Sequence, residues 1–261
     1  MLSYQHSYHA GNLADVHKHS VLAAALAYMV QKDKPLTYLE THSGRGIYDL
    51  QSAESIKTGE AESGILCPEV QEWFSPASPY RQVIARTRQR FGASAYPGSP
   101  WVASEIMRPQ DSLHLAERHP LEVNCLKEHL SHRAQIYPED GFSVAERLCP
   151  PSPRRGVMMV DPSYELESDY SGMPPFIYSI AKKWNVGVIF LWYPILVGGR
   201  HEAMADALGT ALPRGCHHQV KFRVAREGHR MIGSGLYTIN APYGLQEELA
   251  RLSECFLSLG A

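Results

Sequence analysis

Apolar residues after Asn12-Leu13-Ala14-Asp15 recur at roughly helical spacing through Val16, Leu22, Ala25, Leu26 and Met29. Asn12 with an acid three residues on has the form of a capped helix start. That helix is predicted to stop before Lys34-Pro35. Short apolar runs then alternate with helical patterns. Strands are predicted at 36–40, 113–117, 134–137, 156–160 and 186–192. The last is the most apolar and is read as central, because a strand buried on both faces loses the polar half of its alternation. Residues 220–224 alternate as a half-exposed strand should, and 236–239 follow the glycines of Gly233-Ser234-Gly235. These two are read as an antiparallel edge. Helices are expected over 80–91, 122–130, 143–148 and 245–259.

Strands separated by helices predict an α/β fold, a mostly parallel sheet with helices on both faces. Residues 50–98 break the alternation with acids, Pro68, Pro76, Pro79 and a basic helix. They are read as an inserted helical subdomain within a single domain spanning 1–261.

Ligands of such sheets sit beyond the strand C-termini, and the polar chemistry of this chain falls there. The first strand runs into Thr41-His42-Ser43-Gly44-Arg45-Gly46. Neither a P-loop nor a full GxGxxG is present. A nucleoside cofactor without phosphates, such as S-adenosylmethionine, therefore fits better than a dinucleotide. Glu117 ends the second strand, where a carboxylate can accept from both hydroxyls of a ribose; the rival reading is a surface salt bridge with Arg118. The acid lies 71 residues beyond Gly46 rather than the usual distance of about 20, and the insertion accounts for the gap. Asp140-Gly141 ends the third strand and is read as meeting an adenine amino group, against a plain Asp-Gly turn.

The strand at 156–160 delivers Asp161-Pro162-Ser163-Tyr164 to its C-terminal edge. The acid or the proline carbonyl can accept a hydrogen bond from an exocyclic amine, and the ring can stack on a flat base. This tetrapeptide resembles the Asp-Pro-Pro-Tyr signature of adenine-N6 methyltransferases, with Ser163 in place of the second proline.

Composition narrows the partners. The 261 residues are 44% hydrophobic and 20% charged, ordinary for a globular chain with a sizeable core. No apolar run reaches the roughly 18 residues of a membrane span, and the polar N-terminus has no signal-peptide core. Five scattered cysteines without a CxxC pair point to reduced thiols and a cytoplasmic setting. A net charge of −2 leaves nucleic-acid binding to local patches. Candidates are Arg81, Arg86, Arg88 and Arg90; Arg154-Arg155; and Lys221, Arg223, Arg226 and Arg230, each with solvated surface charge as its rival. The early cluster Tyr4, His6, His9, His17, Lys18 and His19 suggests a metal first. His17 and His19 are two apart and point different ways on a helix, and no acid or cysteine completes a tetrahedral set. No metal is expected. A polar lid over the cofactor, with Lys18 as a fixed cation and His19 as a hydrogen-bonding wall, is the functional reading.

Several segments carry a wider resemblance, in order: 4–12 (Tyr4-Gln5-His6 through His9-Ala10-Gly11-Asn12), Ala14-Asp15-Val16, Lys18-His19, Thr41-His42-Ser43-Gly44, Tyr96-Pro97-Gly98-Ser99-Pro100, Glu117-Arg118-His119-Pro120, Asp140-Gly141-Phe142, Asp161 to Glu165, Trp192-Tyr193-Pro194 and Gly233-Ser234-Gly235. Together they resemble the 23S ribosomal RNA adenine-N6 methyltransferase J family, whose members were earlier described as proteins for the catabolism of external DNA. The resemblance implies a Rossmann-like S-adenosylmethionine-dependent methyltransferase fold acting on one adenine of 23S RNA. It implies cofactor contacts from His19, His42, Ser99, Glu117, Asp140, Gly141 and Asp161, to which the polar-lid reading adds Lys18. It gives catalysis to Asp161 and RNA contact to Tyr4; the reading of the residues themselves adds Pro162 and Tyr164 to the catalytic set and His6 to the RNA contacts. The expected partner is protein-free or early-assembly 23S RNA, and the expected state a monomer. Rivals are a binding protein of external-DNA use without catalysis, and a methyltransferase acting on DNA adenine or a protein glutamine.

Overall fold

The computed structural model describes residues 5–224, 228 and 230–260. Tyr4 and Arg226, both singled out above, lie outside the described residues. A 3-10 turn at His6–Tyr8 leads into α1 (Leu13–Met29). The main sheet has seven strands: β1 (Thr37–Glu40), β4 (Ser112–Ala116), β5 (Gln135–Tyr137), β6 (Gly156–Val160), β7 (Val188–Leu196), β8 (Cys216–Lys221) and β9 (Met231–Ile239). Their order is β5-β4-β1-β6-β7-β9-β8. The first five run parallel, while β9 is antiparallel to both neighbours.

Side-chain alternation splits the core into two layers. Tyr38, Val157, Met159 and Phe190 face one side, packed with α1, α5 (Pro79–Phe91), α6 (Ser99–Ile106) and α11 (Leu245–Ser258). Leu39, Met158, Val160, Ile189 and Leu191 face the other, under α8 (Gly141–Leu148), α9 (Glu167–Lys183) and α10 (His201–Ala211). Central strands thus bury both faces, as an apolar run requires.

Between β1 and β4 the chain makes α2 (Ala53–Thr58), α3 (Glu60–Ser63), α4 (Pro68–Glu72), α5 and α6. A small antiparallel pair, β2 (Ile47–Asp49) with β3 (Ala95–Pro97), brings the two ends of the helical stretch together. Helix α7 (Pro120–Leu130) completes the set.

Several elements differ from the sequence reading, among them β7, which covers Val188–Leu196 rather than 186–192. Glycines 233 and 235 lie inside β9, not in a turn before it. A Cβ on Gly235 would sit 2.1 Å from the Tyr193 ring, and one on Gly233 would sit 2.4 Å from the Val220 carbonyl. The glycines let neighbouring groups press onto the strand. Strand β8 covers Cys216–Lys221, four residues earlier than the alternation at 220–224 suggested. Helix α9 runs through Pro174 and Pro175, which remove two internal donors and conceal the helix from a periodicity reading.

Candidate functional site

Strand register builds the site. Glu40 pairs with Met159 on one side and Leu115 on the other. Two residues further along each parallel strand, His42, Asp161 and Glu117 arrive at one level. The loops continue the lattice: the amide of Thr41 donates to the Met159 carbonyl (3.1 Å), and that of Ser43 to the Ala116 carbonyl (3.0 Å). A cleft of about 1030 Å³ opens there, lined among others by Lys18, His19, His42, Ser99, Glu117, Asp140, Gly141 and Asp161. The cofactor residues named from the sequence therefore share one hollow, and His6 lies on its wall.

Close backbone approach shapes the cleft. A Cβ on Gly141 would lie 1.7 Å from the Thr41 carbonyl, so only glycine lets the start of α8 meet the end of β1. Gly44 has φ +61°, and its amide donates to Glu117 Oε2 at 2.8 Å. Glu117 Oε1 accepts from the His119 amide at 2.7 Å, so this acid is held by backbone donors, that of Arg118 included, rather than by the Arg118 guanidinium. Burial pushes the Glu117 carboxyl up, and these amides oppose the shift. Asp140 caps α8, its Oδ2 accepting from the Ser143 amide at 2.9 Å. Arg45 clamps the glycine turn to α7 through a two-point pair with Glu122, at 2.9 and 2.6 Å.

The N-terminal cluster resolves into separate roles. The Asn12 side chain caps α1 by accepting from the Asp15 amide at 2.9 Å. The Asp15 carboxylate is buried and accepts from His6 Nε2 (2.8 Å), the Gly11 amide (2.9 Å) and Lys18 Nζ (3.2 Å). Burial alone would raise Asp15, but His6, Lys18 and His19 hold it well below the usual carboxylate range. Lys18 Nζ reaches Asp161 Oδ2 at 2.5 Å and lies 5.2 Å from the Trp192 ring centroid. Burial works against the ammonium, yet Asp161 and Asp15 raise it above its ordinary value. His19 turns to Tyr96, whose hydroxyl it meets at 2.9 Å, and Tyr96 meets Tyr80 at 2.8 Å. Burial pushes His19 down to about 3. His17 points away from the cleft, to Ser234 and His218 at 2.8 Å each. Among the described residues no group of three or more His, Cys, Asp or Glu is placed to hold a metal.

A second hollow of about 950 Å³ adjoins the first and shares His6, Lys18, Asp161 and Ser163 with it. Pro162, Tyr164, Trp192 and Pro194 are among its other lining residues. Tyr164 is buried at φ +52°, a left-handed conformation uncommon outside glycine and typical of strained functional turns. Its hydroxyl donates to the Trp192 carbonyl at 2.8 Å, and its ring lies 4.7 Å from that of Tyr170. The sequence reading missed Glu40 here. It is fully buried, with Tyr38 donating at 3.0 Å and Ser99 donating to its other oxygen. Burial pushes it up to about 8 against those two hydrogen bonds. Its signal was an acid at the end of the first strand, immediately before the glycine turn.

A mostly parallel sheet with one reversed strand, a glycine-lined cleft at its C-terminal edge and an acid-proline turn between two hollows define a Rossmann-like methyltransferase. The family model described as "Ribosomal RNA large subunit methyltransferase D, RlmJ" matches residues 33–258, and the chain belongs to that family. It is 35% identical over 258 residues to "Ribosomal RNA large subunit methyltransferase J" of Escherichia coli (strain K12), covering 95% of this chain and 90% of that protein. The protein of the same name from Haemophilus influenzae is 34% identical over 261 residues, covering 97% and 92%. Among solved structures, protein LPL1258 from Legionella pneumophila superposes with a TM-score of 0.86 at 34% identity, over 97% of this chain and 96% of that one.

Proposed function

We propose that this chain transfers a methyl group from S-adenosylmethionine to the N6 of one adenine in 23S ribosomal RNA, acting as a monomer on protein-poor RNA in the cytoplasm. The observation that carries the reading is the junction of two hollows at Asp161, Lys18 and Ser163. A donor and an acceptor can be brought edge to edge there.

The first hollow fits a nucleoside cofactor on observations of its own. Ser43 Oγ and His119 Nδ1 line it and are buried without a hydrogen-bond partner. Gly141 lets the start of α8 close against the Thr41 backbone on the wall of that hollow. S-adenosylmethionine, when bound, supplies the methyl group. Glu117, fixed by two amides, would hold ribose hydroxyls; Asp140 and Gly141 would hold the adenine edge; His19, His42 and Ser99 would form the remaining wall.

The acceptor amine is a poor nucleophile because its lone pair is conjugated with the ring. Asp161 is placed to change that. Lys18 engages Oδ2, which fixes the carboxylate and leaves Oδ1 to accept from N6–H. The Pro162 carbonyl can take the second N–H. Both contacts favour a pyramidal amine, and Asp161 takes the proton as the amine becomes cationic. Tyr164 and Trp192 supply the aromatic wall for the extruded base, where stacking contributes about 1–3 kcal/mol per base. Ser163 returns an N–H donor that proline would lack. Holding reactants in line and excluding water provides the rest of the acceleration.

The test is transfer of labelled methyl to unmodified 23S RNA, DNA and protein in parallel. Label in RNA alone, recovered as N6-methyladenine, is the expected result. Label in DNA or protein instead, or in none of the three, sinks the proposal.

A further inference from the structure

A third hollow, of about 540 Å³, lies on α4 and α5 and shares no lining residue with the two described above. Its floor is apolar: Ile65, Phe74 and Ile84 are buried. Its polar lining is Gln71, Arg81 and Arg88, with no acidic side chain. The other arginines of α5 have local employment. Arg81 donates through Nη1 to the Phe74 carbonyl at 2.7 Å, Arg86 pairs with Glu105 at 2.7 Å, and Arg90 packs over Phe91 and Trp101. Arg88 differs. Its Nε and Nη2 are buried and have no acceptor.

Nε and Nη2 form the side-on fork of a guanidinium, the edge that grips a carboxylate or phosphate at two points. Leaving such donors buried and unmatched is costly, and charged groups cost most. Arg81 is seven residues from Arg88 on the same helix, so both cations face the same side. Gln71 is oriented by the Ile65 and Leu66 carbonyls at 3.1 and 3.2 Å. The geometry points to an oxyanion site in this hollow that takes a backbone phosphate of the substrate RNA, on a strand flanking the extruded base. This rests on RNA being the acceptor. The helix is tied to the cleft through the chain Tyr80–Tyr96–His19. A phosphate held by Arg88 therefore anchors the RNA to the body that carries the cofactor wall. It also fits a protein of net charge −2, which lacks a general attraction for polyanions.

The experiment measures RNA affinity apart from turnover. The wild type, Arg88→Met and Arg88→Lys are titrated with an unmodified 23S RNA fragment at several salt concentrations, and methyl transfer is followed on the same fragment. Arg88→Met should weaken RNA binding roughly ten-fold and lower the salt slope by about 0.7–0.9, as loss of one phosphate contact requires. Its kcat at saturating RNA and its cofactor affinity should stay at the wild-type level. Arg88→Lys keeps the charge and loses the fork, so it should fall between the two and keep the salt slope. Unchanged RNA affinity and slope in Arg88→Met overturn the site. Inorganic phosphate bound by the wild type and lost in Arg88→Met, with RNA affinity unmoved, also overturns it, because the source would then be a free oxyanion. Should Arg88→Met fail to fold, Arg88→Lys decides: an affinity equal to the wild type overturns the proposal. A wild type that binds RNA through Arg88 but transfers no methyl would overturn the function above and leave this site standing.

Discussion

Glu40 and Asp161 end adjacent parallel strands two residues apart in register, yet they are opposite kinds of acid. Glu40 is fully buried and bonded to two neutral hydroxyls, and burial pushes it up to about 8. Asp161 keeps 15% of its side chain exposed and faces Lys18 at 2.5 Å. The cation comes from α1, far away in sequence. An acid becomes a working carboxylate when the fold delivers a counter-charge and an opening; the same acid sealed behind hydroxyls keeps its proton and serves as a strut. The largest expected effect tests this division. Asp161→Asn should lower kcat by about 10²–10⁴, the usual contribution of a general base. Glu40→Gln should stay within roughly ten-fold of wild type, since it replaces a largely protonated carboxyl by a group of similar shape. Single-turnover methyl transfer at pH 7 with cofactor affinity measured alongside checks both. A Glu40→Gln loss as deep as that of Asp161→Asn would break the comparison.

Lys18→Met attacks the same contrast from the other side. It strips the cation from Asp161 and Asp15 together and leaves two carboxylates with reduced compensation. Removing one partner of a buried pair costs about 3–5 kcal/mol, and chemical denaturation at pH 7 should show a loss of that order. The loss should shrink as pH falls, because the stranded acids can then take up protons. A stability equal to wild type at pH 7 would mean that Lys18 is incidental to Asp161.

How much of this contrast the sequence discloses depends on which contacts are local. Asp161-Pro162 at the end of an apolar run and Ser43-Gly44 after another are readable, because a strand and its loop are neighbours in the chain. The Asn12 cap is readable for the same reason. The ion pair of Lys18 with Asp161 spans 143 residues and depends on α1 crossing the sheet edge. No spacing rule gives that. Glu40 was visible as a strand residue, but its burial by Ser99 and Tyr38 depends on the stretch between β1 and β4 folding back through the β2–β3 pair. Helix α9 was hidden by Pro174 and Pro175, and the start of β9 by Gly233 and Gly235, because residues that ordinarily end an element are here tolerated inside one. Arg88 sat in a basic run that read as either surface or RNA patch. Only the partners of its neighbours separate it from them.

The strut acid makes a pH prediction whose sign is fixed. Glu40 has a folded-state value of about 8, above its ordinary 4.5. The folded protein thus holds this proton more tightly than the unfolded chain. The stabilisation is complete below about pH 4.5 and is lost as pH rises through about 8. Glu40→Gln has no proton to lose. The stability of wild type relative to Glu40→Gln should therefore fall from pH 5 and level off above about pH 8, read from urea midpoints at each pH from 5 to 9. A difference that stays level across that window would show Glu40 to be charged throughout, and the two acids would be alike after all.

The smallest effect concerns the hydroxyl behind the strut. Tyr38 donates to Glu40 Oε2 at 3.0 Å, and burial with the adjacent Glu40 raises the phenol well above its ordinary value, so it remains a donor at every working pH. Tyr38→Phe removes that donor with little change of volume. While Glu40 carries its proton, the lost bond is neutral and contributes about 0.5–1.5 kcal/mol. Once Glu40 ionises above pH 8, the bond is charge-assisted and contributes about 1.5–3 kcal/mol. The cost of Tyr38→Phe should therefore grow between pH 6 and pH 9, while the wild type itself is losing stability. Urea midpoints of the two proteins at both pH values resolve the difference. A cost that is the same at pH 6 and pH 9 would mean that the charge on Glu40 does not change across the range, and the distinction between a proton-bearing strut and an ion-paired working acid would rest on Asp161 alone.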